Sequence, residues 1–186
     1  MNGHHLILGE LDDLITGVRI KDTHDERHRQ KIARLLIDCK GYLKSDIEPR
    51  KSLLVQAGDN RALIKIDFLI NLSGRPYMII MYGPGSLVTR HRPVLAASRV
   101  MAPYQIPVAV VTNGEDAEIL EGSSSKVLSR GLNTIPSKTE LHEMADRFDI
   151  NLIPVERRVM ESRILYCYEV DDSCPCDEDI CKLTIC

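Results

Sequence analysis

Asp67 lies inside "KIDFLI", an otherwise apolar run, and "YMIIMYGPGSLVTRHR" follows it after a short turn. An acid inside such a run is costly to bury unless it is paired. A carboxylate on one strand, followed by a second strand that runs into a polar loop, suits a metal-dependent nuclease, in which a bound cation activates water against a phosphodiester. That chemistry also wants an acidic residue and a lysine at the end of the second strand. Here the strand end holds "IIMY", which supplies neither.

Two further groupings carry chemistry. In "GPGSLVTRHR" two glycines and a Ser/Thr pair expose backbone N–H groups ahead of Arg90, His91 and Arg92. Together they make an anion or phosphate contact, and the alternative is a strand-to-helix connection with exposed charges. The Gly-Lys-Ser/Thr ending of a nucleotide-binding loop is absent. In the tail, Cys167, Cys174, Cys176, Cys181 and Cys186 lie close together. Thiolates at such spacing can build a tetrahedral zinc site, with Cys174, Cys176, Cys181 and Cys186 as candidate ligands, although the usual paired C-x2-C knuckles are missing. Reduced free thiols and a disulfide are the other readings.

The chain of 186 residues is 44% hydrophobic and 27% charged, which suits a globular domain with a small appendage. The expected division is 1–150 for the domain and 151–186 for a C-terminal extension with an acidic, Cys-rich tail. With no Trp and two Phe, packing is aliphatic. No apolar run approaches the length of a membrane span, and "MNGHHLILGE" does not read as a signal peptide, so a cytoplasmic location is expected. Net charge is −3, unevenly spread: residues 19–99 hold 16 Lys and Arg against 8 Asp and Glu, whereas 169–186 hold six acids and one Lys. The basic half suits a phosphate backbone, with an ordinary solvated surface as the alternative.

The elements that must position these groups are legible as periodicity. Thr23 and Glu26 form a capping box ahead of "DERHRQKIARLLIDCKGY", with Ile32, Leu35, Leu36 and Cys39 on the apolar face, Arg27, Arg29, Lys31 and Arg34 on the other, and Gly41 as the stop. "IEPRKSLLVQ" and "RALIKIDFLINL" read as strands joined by the turn "AGDN"; "YMIIMY" reads as a buried third strand. Pro93 suits the first residue of the helix "PVLAASRVMAPY". "IPVAVVTNG" is another strand, "EDAEILEG" and "SSKVLSRGL" a hairpin, and "IPSKTELHEMADRF" a helix with a Ser137–Glu140 capping box. The order α-β-β-β-α-β predicts an α/β fold, a mixed sheet flanked by helices, with a helical C-terminal extension.

The stretches "DTHDERHRQKIARLLIDCKGY", "DIEPRKSLLV", "KIDFLI" and "IPVAVVTNGEDAEIL" resemble the N-terminal domain of type I restriction enzyme R subunits, from about residue 20 to residue 136. That resemblance implies the PD-(D/E)xK restriction-endonuclease-like fold and a Mg²⁺ site at the ends of the middle strands. It places Asp67 at the first carboxylate and Glu26 at an acidic position of the first helix. It finds nothing at the acidic-x-Lys place, and the Gln-x-x-x-Tyr places fall near Leu95 and Arg99. The expectation is therefore a nuclease-fold protein with a degenerate site, acting as a nucleic-acid-binding or accessory protein through Arg90, His91, Arg92 and Arg27, with DNA or a protein as partner. Two alternatives stand beside it. One is an active Mg²⁺-dependent DNA endonuclease using Asp67, Glu26 and Glu48. The other is a zinc- or redox-dependent interaction module in the Cys-rich tail.

Overall fold

The computed structural model describes residues 7–148, 150–171 and 180–183. It opens with a small hairpin, β1 (Gly9–Asp12) and β2 (Arg19–Asp22), paired only with itself. Helix α1 (His24–Arg34) follows, then a long hairpin of β3 (Ile47–Ala57) and β4 (Asn60–Leu72), then β5 (Arg75–Tyr82). Helix α2 (His91–Val100) crosses to β6 (Val108–Thr112), which is followed by β7 (Ala117–Glu121) and β8 (Val127–Arg130). Helices α3 (Lys138–Ala145) and α4 (Val155–Tyr166) and the short β9 (Cys181–Leu183) complete the chain.

Among the described residues the main sheet has seven strands in the order β3-β4-β5-β6-β7-β8, with β9 on the free stretch of β4. Only β5 and β6 are parallel, and α2 is the crossover that this pairing requires. The fold is thus α/β with a mixed sheet between helices. One face packs against α2 and α4, the other against α1 and α3. Strand β5 shows why its run is apolar throughout: Ile79 and Met81 point to the first face, Met78 and Ile80 to the second, and all four are buried. Helix α4, within the expected extension, adds Leu165 and Tyr166 to the first core.

The β3–β4 ribbon turns over partway along. Residues of one parity share a face in a regular strand. Here Ile64 and Ile66 pack with α2 and α4, whereas Phe68 and Ile70, of the same parity, pack with α1 and α3. The reversal falls at Asp67. On β3 the register skips Arg50 between the pairs Pro49–Phe68 and Lys51–Ile66, and Arg50 has φ 50°, a left-handed backbone uncommon for a residue with a side chain.

Three local expectations are corrected. Cys39 is exposed rather than in the core: residues Leu35–Cys39 form a π-helical turn, wider than an α turn, which rotates Cys39 off the apolar face. Pro93 is the third residue of α2 rather than its first, because the 3-10 turn Val88–Arg90 runs straight into the helix. At α1, Thr23 caps by accepting from the Glu26 amide, but the Glu26 carboxylate is turned inward.

Candidate functional site

Helix α1 has two polar faces with different fates. Glu26, Gln30 and Ala33 point inward and are buried; His24, Arg27, Lys31 and Arg34, at helical spacing, are exposed. Arg29 belongs with the first group. Its guanidinium reaches Asp67, with Nε donating to Oδ1 at 2.5 Å, and Nη1 lies 3.7 Å from Glu26 Oε2. The second oxygen of Asp67 accepts from the Tyr82 amide at 2.6 Å. Asp67 is thus the buried acid that its apolar run implies, and both of its oxygens are engaged.

Glu26 is engaged chiefly through one oxygen. Its Oε1 accepts from Gln30 Nε2 at 2.8 Å and from Arg50 Nη2 at 2.5 Å. Arg50 and Gln30 both go on to Asp13, where Oδ2 accepts from Arg50 Nη1 at 3.0 Å and from Gln30 Nε2 at 2.8 Å. The Oδ1 of Asp13 takes the Thr16 amide and hydroxyl at 2.7 and 2.8 Å. Burial alone would raise the Asp13 carboxyl, but these hydrogen bonds outweigh it and hold it at about 2. Asp13, Glu26 and Asp67 with Arg29 and Arg50 form one continuous network, with three carboxylates against two guanidiniums.

Tyr82 closes the network on the β5 side. Its hydroxyl donates to Asp25 Oδ1 at 3.0 Å, its ring stacks on His28 at 5.6 Å, and Arg29 lies over the ring. Burial first, and then the Asp25 carboxylate, push the phenol well above the usual tyrosine range, so it stays protonated. His28 rests against Gly114, which has φ 86° and where a Cβ would come 2.3 Å from the imidazole Nδ1. Lys31 donates to the Gly114 carbonyl at 2.8 Å. The Thr112-Asn113-Gly114 strand end therefore needs glycine twice over, for its backbone and for the approach of α1.

Of the residues singled out in the sequence, Glu26 and Asp67 come together through Arg29. The others lie elsewhere. Arg90 pairs with Glu169 at 3.3 Å, His91 with Glu118, and Arg92 with Glu161 at 2.6 Å. Arg27 pairs with Asp22 through two bonds of 2.7 Å. Glu48 takes Asn71 and Lys51 as partners and does not join the network. Leu95 and Arg99 are buried, and Arg99 meets the fully buried Glu161. Cys174, Cys176 and Cys186 lie outside the described residues; Cys181, on β9, and Cys167 are exposed. Among the described residues, no group of three or more His, Cys, Asp and Glu could hold a metal ion, and no helix is long and apolar enough to cross a membrane.

Asp13, Arg29 and Arg50 are the members that sequence reading did not assign. Arg29 was legible only as part of a basic face, yet the inward period of Glu26, Arg29, Gln30 and Ala33 carries it.

A family model described as the type I restriction enzyme R protein N terminus matches residues 24–136. That stretch begins with α1 and includes Glu26, Arg29, Arg50, Asp67 and Tyr82, while Asp13 and the β1–β2 hairpin lie before it. No curated protein and no solved structure matches the chain.

Proposed function

The chain belongs to the type I restriction enzyme R protein N-terminal family, and we propose that it is a nuclease-fold member whose cleavage site is closed by an internal arginine and which acts by binding nucleic acid. The observation that carries this reading is the Arg29 guanidinium, engaged with Asp67 and facing Glu26. A divalent cation held by two carboxylates needs their oxygens free and a third ligand nearby. The donor set does not fit such an ion: both Asp67 oxygens and Glu26 Oε1 are taken, and a resident positive charge stands beside the two carboxylates. On β5, Ile80 and Tyr82 stand where the acid and the lysine would, next to Asp67 in the ladder.

What α1 offers instead is its outer face. His24, Arg27, Lys31 and Arg34 form an exposed basic stripe on the helix that carries the closed site. Arg27 is neutralised by Asp22, but Lys31 is held only by a carbonyl and keeps its charge uncompensated. A stripe of this kind suits a phosphate backbone.

The test is a fluorescence anisotropy titration with duplex and single-stranded DNA at several salt concentrations. Wild type should bind in a salt-dependent way. Lys31→Ala with Arg34→Ala should flatten the log K against log salt slope by about two on duplex DNA. An unchanged slope would remove α1 as the contact surface, and no binding at low salt would remove the nucleic-acid reading.

A further inference from the structure

The β1–β2 hairpin touches the closed site through one side chain. Asp13 directly follows β1, is 2% exposed, and spans Arg50 and Gln30, both of which hold Glu26. The Leu14 amide adds a bond to Gln30 Oε1 at 2.9 Å. The element is also tied at the end of β2, where Asp22 accepts two bonds from Arg27 of α1. Its strands pair only with each other, most of their residues are exposed, and beyond the latch Leu14 and Ile15 pack half-buried against the second core. An element with few buried contacts opens at low cost compared with the global fold. The hairpin also lies ahead of the family-matched stretch.

Two observations show what the latch does to Arg50. Its backbone is left-handed at φ 50°, a conformation that persists only while the surroundings enforce it. Its guanidinium is shared between Asp13 and Glu26, and the residue also lines an open notch of about 580 Å³ with Ile15 and Thr16 of the hairpin turn, with Lys44, and with the ion pair of Lys51 and Glu48. The charge balance follows. With Asp13 in place the network holds three carboxylates against two guanidiniums; without it the two signs cancel, and Arg50 has lost one of its two anions.

We infer that the β1–β2 hairpin is a strap over the site, latched by Asp13, and that a nucleic-acid phosphate competes with Asp13 for Arg50 in the notch. This rests on the nucleic-acid reading above. A latched strap keeps Arg50 occupied by two carboxylates. An open strap gives Arg50 to the phosphate beside Lys44 and Lys51, and binding of the polyanion in turn favours the open form.

The experiment combines hydrogen exchange over residues 7–22 with anisotropy titration of a labelled DNA duplex, on wild type, Asp13→Ala, the isosteric Asp13→Asn, and Asp13→Asn with Arg50→Gln. Both single variants should raise exchange in 7–22 selectively, bind DNA several-fold more tightly, and steepen the salt slope by roughly 0.9, one added phosphate contact. Arg50→Gln should abolish that gain. Asp13→Asn keeps the side-chain shape and decides the matter if Asp13→Ala does not fold. Binding by wild type with no gain in Asp13→Asn overturns the strap and leaves the nucleic-acid reading intact. Unchanged exchange in 7–22 shows that Asp13 is no latch and also overturns it. Raised exchange with no DNA binding by any variant overturns both.

Discussion

The Nε of Arg29 lies 2.5 Å from Oδ1 of Asp67. One residue comes from the inward face of α1 and the other from the point where the β3–β4 ribbon turns over, and both side chains are largely shielded from solvent. The pair joins helix to sheet, and it places a positive charge beside two carboxylates, Asp67 and Glu26.

Arg29→Met should be strongly destabilising, by about 3–5 kcal/mol, because it leaves Asp67 with a buried, half-paired charge. Adding Asp67→Asn should recover a large part of that loss. Urea denaturation of the two single variants and the double variant gives the coupling directly. Additive effects would mean that the two side chains do not act as a pair.

Asp13 predicts a specific acid sensitivity. Its folded carboxyl titrates at about 2, below the ordinary 3.8. A depressed carboxylate contributes stability that is fully present above the unfolded value and is lost as pH falls through the folded one. The window is therefore roughly pH 4 to 2, and the contribution is about 2 kcal/mol. Stability measured across that window should fall less steeply in Asp13→Asn than in wild type.

Glu161 holds the α2–α4 contact. It is fully buried and faces Arg92, Arg99 and Arg157 at 2.6, 3.2 and 2.7 Å. Glu161→Ala leaves the buried Arg99 unpaired beside the more exposed Arg92 and Arg157 and should cost about 3 kcal/mol. The loss should appear as a lower urea midpoint with an unchanged m-value.

Arg90 and Arg92 are anchored in the same way, to Glu169 and Glu161. Replacing both with Ala should lower thermal stability as well as any phosphate contact they make, whereas Lys31→Ala with Arg34→Ala should weaken binding at the smaller cost of the Lys31 bond to the Gly114 carbonyl. Melting curves beside the anisotropy titrations separate the two effects.

The sheet was legible because its strands are apolar runs bounded by turn residues. Ala57 and Asn60 close a two-residue turn through Gly58 at φ 61°, as "AGDN" suggests. The Ser137–Glu140 capping box is reciprocal, as its spacing implies. Asp67 announced itself because an acid in an apolar run must have a partner. The partner did not announce itself: Arg29 and Asp67 are far apart in sequence, and only the fold joins them. The β1–β2 hairpin left no apolar alternation to read, since its strands are short and mostly exposed, and Asp13 was hidden with it. Arg50 looks like an ordinary strand residue, and neither its left-handed backbone nor its two anions can be read from its neighbours in the sequence.

The most direct test of the closed-site account is incubation of the purified protein with linear, supercoiled and single-stranded DNA in Mg²⁺ or Mn²⁺. The account predicts intact DNA in every case, from wild type and from Asp67→Ala alike. Cleavage by wild type that disappears in Asp67→Ala would contradict it, because Asp67 would then be serving a metal that the Arg29 pair leaves no room for.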